Sequence, residues 1–115
     1  MTKIDSYAAI QFLKGKDEED HPEIRKFRNL DGKKGKAIYK FSMPSSITIE
    51  NLHLIKTMYL ADEEGELSTR AIDLSISKNN EIAIKCTYHW YSEKEFARFM
   101  RFAERHADSL TNYSV

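Results

Sequence analysis

Residues 82–90 alternate without a break: Ile82, Ile84, Cys86, Tyr88 and Trp90 fall on one face, Lys85, Thr87 and His89 on the other. Such a strict period of two is the mark of a half-buried antiparallel strand. A strand that is apolar on one side needs neighbours beside it and a layer above it. The sequence supplies that layer at once. Ser92 and Glu95 form a capping box, in which the serine hydroxyl and the glutamate satisfy the first free amides of a helix. The period then changes, and Phe96, Phe99, Met100, Ala103 and Ala107 recur at helical spacing as one apolar stripe. Arg98, Arg101, Glu104 and Arg105 are expected to solvate the opposite side. A helix over one face of an antiparallel sheet is an α+β layer pair.

Upstream segments read as the rest of the sheet. Residues 7–13 are strand-like and close at Gly15, and Pro22 is expected to open the next strand or to lie on an edge. Residues 24–41 form a hairpin, for which Asp31-Gly32 and Gly35 supply positive-φ positions. Its second run places Ala37, Tyr39 and Phe41 on one face and Lys36, Ile38 and Lys40 on the other. Residues 45–54 fit a helical turn or a short strand equally well. A strand over 55–61 leads into the turn Asp62-Glu63-Glu64-Gly65, and Ile72, Leu74 and Ile76 mark another strand before a turn at Lys78-Asn79-Asn80. The expected fold is α+β: a twisted antiparallel meander of about six strands with a C-terminal amphipathic helix packed on one face. The 115 residues make one domain, with an N-terminal extension over 1–9 and a loose tail over 108–115. No run approaches the roughly 20 apolar residues that span a bilayer, and the start lacks a secretory signal. The chain is expected in a reducing aqueous compartment, and any membrane contact is expected to be peripheral.

Chemistry-bearing patterns are sparse. Eighteen basic and eighteen acidic residues cancel, which argues against bulk polyelectrolyte binding of nucleic acid. The single cysteine excludes an internal disulfide, and Cys86 reads as an inert packing residue. His21, His53, His89 and His106 have no zinc-site spacing and read as surface or rim histidines. The acidic runs 17–20 and 62–66 read as solvated turns, since they lack the ligand spacing of a calcium loop. No glycine-rich phosphate loop exists. A sequence this acidic leaves a paired-carboxylate hydrolase open, but nothing in it points to one. One excess stands out: residues 24–41 hold seven basic residues (Arg25, Lys26, Arg28, Lys33, Lys34, Lys36, Lys40) against one acid, Asp31. These lysines could guard an edge strand or dock a strand of another protein. With Phe27, Tyr39 and Phe41 they could instead bind single-stranded nucleic acid.

Two long runs carry a family resemblance: Met58-Tyr59-Leu60-Ala61-Asp62-Glu63-Glu64-Gly65-Glu66-Leu67-Ser68-Thr69-Arg70 and Phe96-Ala97-Arg98-Phe99-Met100-Arg101-Phe102-Ala103-Glu104-Arg105-His106-Ala107. With Ile10-Gln11-Phe12, Gly15, Asp17-Glu18-Glu19, Pro22 and Arg25, they resemble the photosystem II reaction-centre twenty-eight-kilodalton protein (Psb twenty-eight) family. The chain departs from the commoner pattern at His21, at Lys26-Phe27-Arg28, at Phe96 and at Gly35-Lys36-Ala37, and so looks like a divergent second copy. The resemblance implies a cofactor-free, non-enzymatic photosystem II assembly or repair factor of a cyanobacterium or plastid, peripheral to the thylakoid membrane on its cytoplasmic (stromal) side. It implies transient binding, by strand addition, to the inner antenna chlorophyll protein and the stromal loops of reaction-centre subunits of immature complexes, and no nucleic-acid partner. Joined to the basic hairpin, it points to Arg25, Lys33, Lys34, Lys36, Ile38, Tyr39, Lys40 and Arg70 as the docking residues.

Overall fold

The computed structural model describes residues 7–111, and side-chain surroundings as far as residue 107. Eight strands and one helix follow in the order β1 (Ala8–Leu13), β2 (Lys16–Asp17), β3 (Glu23–Arg28), β4 (Gly35–Ser42), β5 (Met58–Asp62), β6 (Gly65–Thr69), β7 (Ile72–Ile76), β8 (Ile82–Trp90) and α1 (Glu93–Thr111). The α+β architecture is the expected one. Two short strands, β2 and β6, raise the number from about six to eight, and the strands divide between two antiparallel sheets rather than forming one meander. One sheet has the order β2-β1-β5-β6 and the other β3-β4-β8-β7. The ambiguous stretch before β5 contains a single 3₁₀ turn, Leu52–Leu54.

The core lies between the sheets and under α1, which packs against β1, β5 and β8. Ile10, Phe12 and Leu60 enter it from one sheet, Tyr39, Phe41, Ile84, Cys86 and Trp90 from the other, and Phe99 and Phe102 from the helix. Phe12 and Phe41 meet edge to face at 5.1 Å and tie the two sheets together. Phe99 stacks on both Tyr88 and Trp90. The β8 alternation and the helix stripe are therefore found as read, apart from Ala107, which is exposed, and His106, which is buried and stacks on Phe102 at 5.5 Å.

The helix start follows the capping logic with one difference. The Glu95 N–H donates to the Ser92 hydroxyl (3.1 Å), but the Glu95 carboxylate accepts from the Tyr91 N–H (2.9 Å), one residue earlier than expected. Of the extension expected over 1–9, Ala8 and Ala9 belong to β1 and residues 1–6 lie outside the described residues; of the tail, residues 108–111 continue α1 and 112–115 lie outside.

Candidate functional site

The β3–β4 hairpin is the element to which the basic excess belongs, and its pairing decides which side chains face outward. Arg25 lies opposite Ile38, and Ile38 opposite Thr87; Phe27, Lys36 and His89 form the next such row, and Glu23, Lys40, Lys85 and Asp73 another. Residues paired across a sheet point to the same side. The intervening rows carry Ala37, Tyr39 and Phe41 into the core, so Arg25, Lys36, Ile38 and Lys40 share the outer face of the sheet. An open depression of about 280 Å³ lies at the turn end of the hairpin, with Phe27, Asn29, Lys34, Lys36, His89 and Tyr91 among its walls.

Two of the expected docking residues are placed elsewhere. Tyr39 is 1% exposed, with burial raising its phenol pKa, and has no surface to offer a partner. Arg70 is exposed but follows β6 and precedes Ala71, whose carbonyl accepts the Thr87 N–H. It is therefore on the far side of β8 from β3, about three strand spacings, or about 14 Å of backbone, from the Arg25 position. With Tyr39 and Phe41 both buried, Phe27 is left as the exposed aromatic of the hairpin strands, and the stacking platform for single-stranded nucleic acid does not form. Lys33 and Lys34 are exposed in the turn itself.

The pairing also relocates the edge. β4 is bonded to β3 on one side and β8 on the other, so it has no free backbone. Among the described residues nothing pairs with the outer side of β3. The Asn29 N–H donates to the Lys34 carbonyl at 2.9 Å, and hydrogen-bonded pairs alternate from there along the ladder. By that alternation Arg25 and Phe27 turn their backbone groups toward β4, whereas Ile24, Lys26 and Arg28 turn theirs outward. Five lysines accompany this edge, and none of Lys26, Lys33, Lys34, Lys36 and Lys40 is ion-paired among the described residues.

The arginines of α1 are not the solvated group expected. Arg98 forms a bidentate pair with Asp62 (2.7 and 2.9 Å), Arg105 bridges Asp62 and Glu64 (2.9 and 2.6 Å), and Arg101 grips Glu64 (2.7 and 2.9 Å). The Asp62 carboxylate is fully buried. Burial pushes its pKa up, but the hydrogen bonds from Arg98 and Arg105 outweigh that and hold it below the ordinary range. The Arg101 and Arg105 guanidiniums draw Glu64 down to about 2. Glu18, read as part of a solvated run, is likewise buried: both hydroxyls and both N–H groups of Ser45 and Ser46 donate to its carboxylate at 2.6–2.9 Å. Burial raises its pKa and those bonds more than reverse the effect. Burial lowers His106 to about 4, with the nearby His21 charge acting in the same direction, and it raises the Cys86 thiol to about 12. Among the described residues no three His, Cys, Asp or Glu side chains stand close enough to hold a metal ion. This second cluster is a structural clamp, since every formal charge in it is answered within the molecule.

The sequence profile of the Psb28 protein family matches residues 10–111. The chain belongs to that family. A "Photosystem II reaction center Psb28 protein" of Prochlorococcus marinus (strain NATL2A) is 60% identical over 96% of this chain and 98% of its own length. A protein of the same name from strain NATL1A is 58% identical over the same shares. One from Synechococcus sp. (strain CC9311) is 45% identical over 90% of this chain and 81% of its own. The family's match begins in β1 and ends at the last residue of α1, so it takes in the hairpin edge and the arginine clamp alike.

Proposed function

We propose that the chain is a photosystem II-associated protein without catalytic activity, acting as an assembly or repair factor on the cytoplasmic (stromal) face of immature complexes. Its docking element is the outer edge of β3, and its partners are an extended segment of the inner antenna chlorophyll protein or a stromal loop of a reaction-centre subunit. Family membership and the name borne by relatives across the whole chain support the association with photosystem II. The observation that carries the docking mode is the unpaired β3 edge, with its outward backbone at Ile24, Lys26 and Arg28 and its unneutralised lysines. Adding a strand there supplies sequence-tolerant backbone hydrogen bonds, and the rows of Arg25, Lys36 and Lys40 set register and encounter rate. No helix among the described residues is long and apolar enough to cross a membrane, in keeping with peripheral attachment.

Affinity purification of the tagged chain from cells making new photosystem II tests this. Lys26→Pro removes an outward amide while sparing the β3–β4 ladder, and is expected to abolish co-purification; Lys26→Ala, which removes only the charge, is expected to retain most of it. Exchanging Arg25, Lys36 and Lys40 for Glu is expected to weaken capture without unfolding the chain. A folded Lys26→Pro variant that still co-purifies normally overturns docking at this edge.

A further inference from the structure

The turn between β3 and β4 carries a fully exposed apolar side chain. Leu30 is 109% exposed. It is not held there by default, because the turn around it is built. Asn29 donates to Lys34 and Gly32 to Asn29 at 2.9 Å, the Lys33 N–H donates to Asp31 Oδ1, and Arg28 donates from Nη2 to the Gly32 carbonyl. The Arg28 guanidinium in turn lies over the Phe96 ring, 3.9 Å from its centroid, and braces the turn against the start of α1. The same turn carries the exposed Lys33 and Lys34. Trp90, the end of β8, pairs with Gly35, so the exposed Tyr91 that follows is at the same end of the sheet. Three carboxylates lie near this end, Asp31, Glu93 and Glu95. All three keep their negative charge, Asp31 and Glu95 while accepting the backbone N–H groups of Lys33 and Tyr91, and they stand against Arg28, Lys33, Lys34, Lys36 and Lys94 at the same end.

We infer that this end of the hairpin is a membrane-contact tip for an anionic bilayer. Leu30 enters the headgroup–acyl boundary, Tyr91 sits at headgroup depth, and the Lys33 and Lys34 ammoniums lie on lipid phosphates with their stems along the apolar surface. Charge complementarity selects the occupant. The α1 arginines are quenched by Asp62 and Glu64, whereas Lys33 and Lys34 have no carboxylate partner among the described residues, so two unpaired ammoniums share a turn with the most exposed apolar side chain of the described residues. A lipid surface of negative charge uses both Leu30 and the ammoniums without a shaped pocket, whereas a protein would have to supply an apolar floor with an acidic rim. The inference is independent of the β3 docking edge, because the contact needs no protein.

Co-sedimentation with protein-free vesicles tests it, comparing pure phosphatidylcholine with phosphatidylcholine containing phosphatidylglycerol, at low and physiological salt. The full chain is expected to partition onto the anionic vesicles, to be released by salt, and to ignore the neutral ones. Lys33→Glu with Lys34→Glu is expected to lower the partition coefficient by about tenfold or more, and Leu30→Asp by about tenfold or more. Lys78→Glu, in the turn at the other end of β8, is expected to change it little. Leu30→Trp adds an exposed indole whose emission is expected to shift to the blue on anionic vesicles. Thermal melts confirm that these exposed-site variants stay folded. Failure of the chain to bind anionic vesicles, equal binding to neutral ones, or binding indifferent to Leu30→Asp and to the lysine reversals overturns the inference. Loss of vesicle binding with co-purification intact, or the reverse, separates this tip from the β3 edge.

Discussion

Gly35 shows how one position can be demanded by packing rather than by backbone conformation. The turn reading assigns it a positive φ, but Gly15, Gly32 and Gly65 are the glycines that adopt one. At Gly35 an added Cβ would overlap the Phe27 carbonyl oxygen and lie 2.5 Å from the Trp90 ring, which is buried and covers that point of β4. Gly35→Ala is therefore expected to destabilise the chain by about 2 kcal/mol or more, measured by urea unfolding. Arg98 is the second position where a local pattern misleads, because helical phase places it on the polar side and only tertiary structure supplies Asp62. Arg98→Ala leaves a buried carboxylate short of its bidentate partner and is expected to cost on the order of 3 kcal/mol. Arg101→Ala, whose partner Glu64 is solvent-facing, is expected to have little measurable effect. An Arg98→Ala cost as small as that of Arg101→Ala would mean that the clamp contributes nothing through Asp62.

At the scale of elements, the strands with long apolar alternation were legible and the pairings between them were not. β8 and α1 follow from residues 82–107 alone, because a period of two and then a stripe at three and four leave little choice. The short β2 and β6 carry exposed or half-exposed residues and offer no such signal. The docking surface was half legible. The basic excess located the hairpin, yet which of its strands is the edge depends on β8 returning to pair with β4 from more than forty residues away. That pairing turns Ile38 from an edge residue into an interior one, bonded into a ladder between Arg25 and Thr87. Ile38→Pro is accordingly expected to unfold the sheet, since proline cannot donate within a central strand, whereas Lys26→Pro on the free edge is expected to keep a native circular dichroism spectrum. A native Ile38→Pro variant would contradict the pairing. Leu30 was missed as a surface feature because nothing in a hydropathy pattern distinguishes an apolar side chain at a turn tip from one that folds back.

The whole molecule responds to acid through groups on several elements, and their signs agree. His106, at 7% exposure, takes a proton near 4 in the folded chain but near 6.5 when unfolded. Between these values the unfolded chain binds the extra proton, so the contribution is complete above about pH 6.5 and is lost as pH falls toward 4, on the order of 3 kcal/mol in all. Asp62 and Glu18, whose folded pKa values lie below their unfolded ones, add a further loss as pH falls through the carboxylate range. Chemical denaturation against pH is expected to show stability steady around neutrality and a decline in two stages below it, with a separate alkaline decline as the raised Cys86 and Tyr39 groups ionise first in the unfolded chain. His106→Leu should erase the upper stage and leave the lower; a wild-type profile flat down to pH 5 would refute the assignment. The same global opening can be timed from inside. Cys86 is the chain's one thiol, sealed between β4 and β7 with its pKa pushed up to about 12, so the closed molecule offers a thiol reagent neither access nor a thiolate. Each labelling event then marks one opening of the β3-β4-β8-β7 sheet. A docked strand or an occupied membrane tip that stabilises the sheet would slow that reaction, and its rate would report engagement without any added probe.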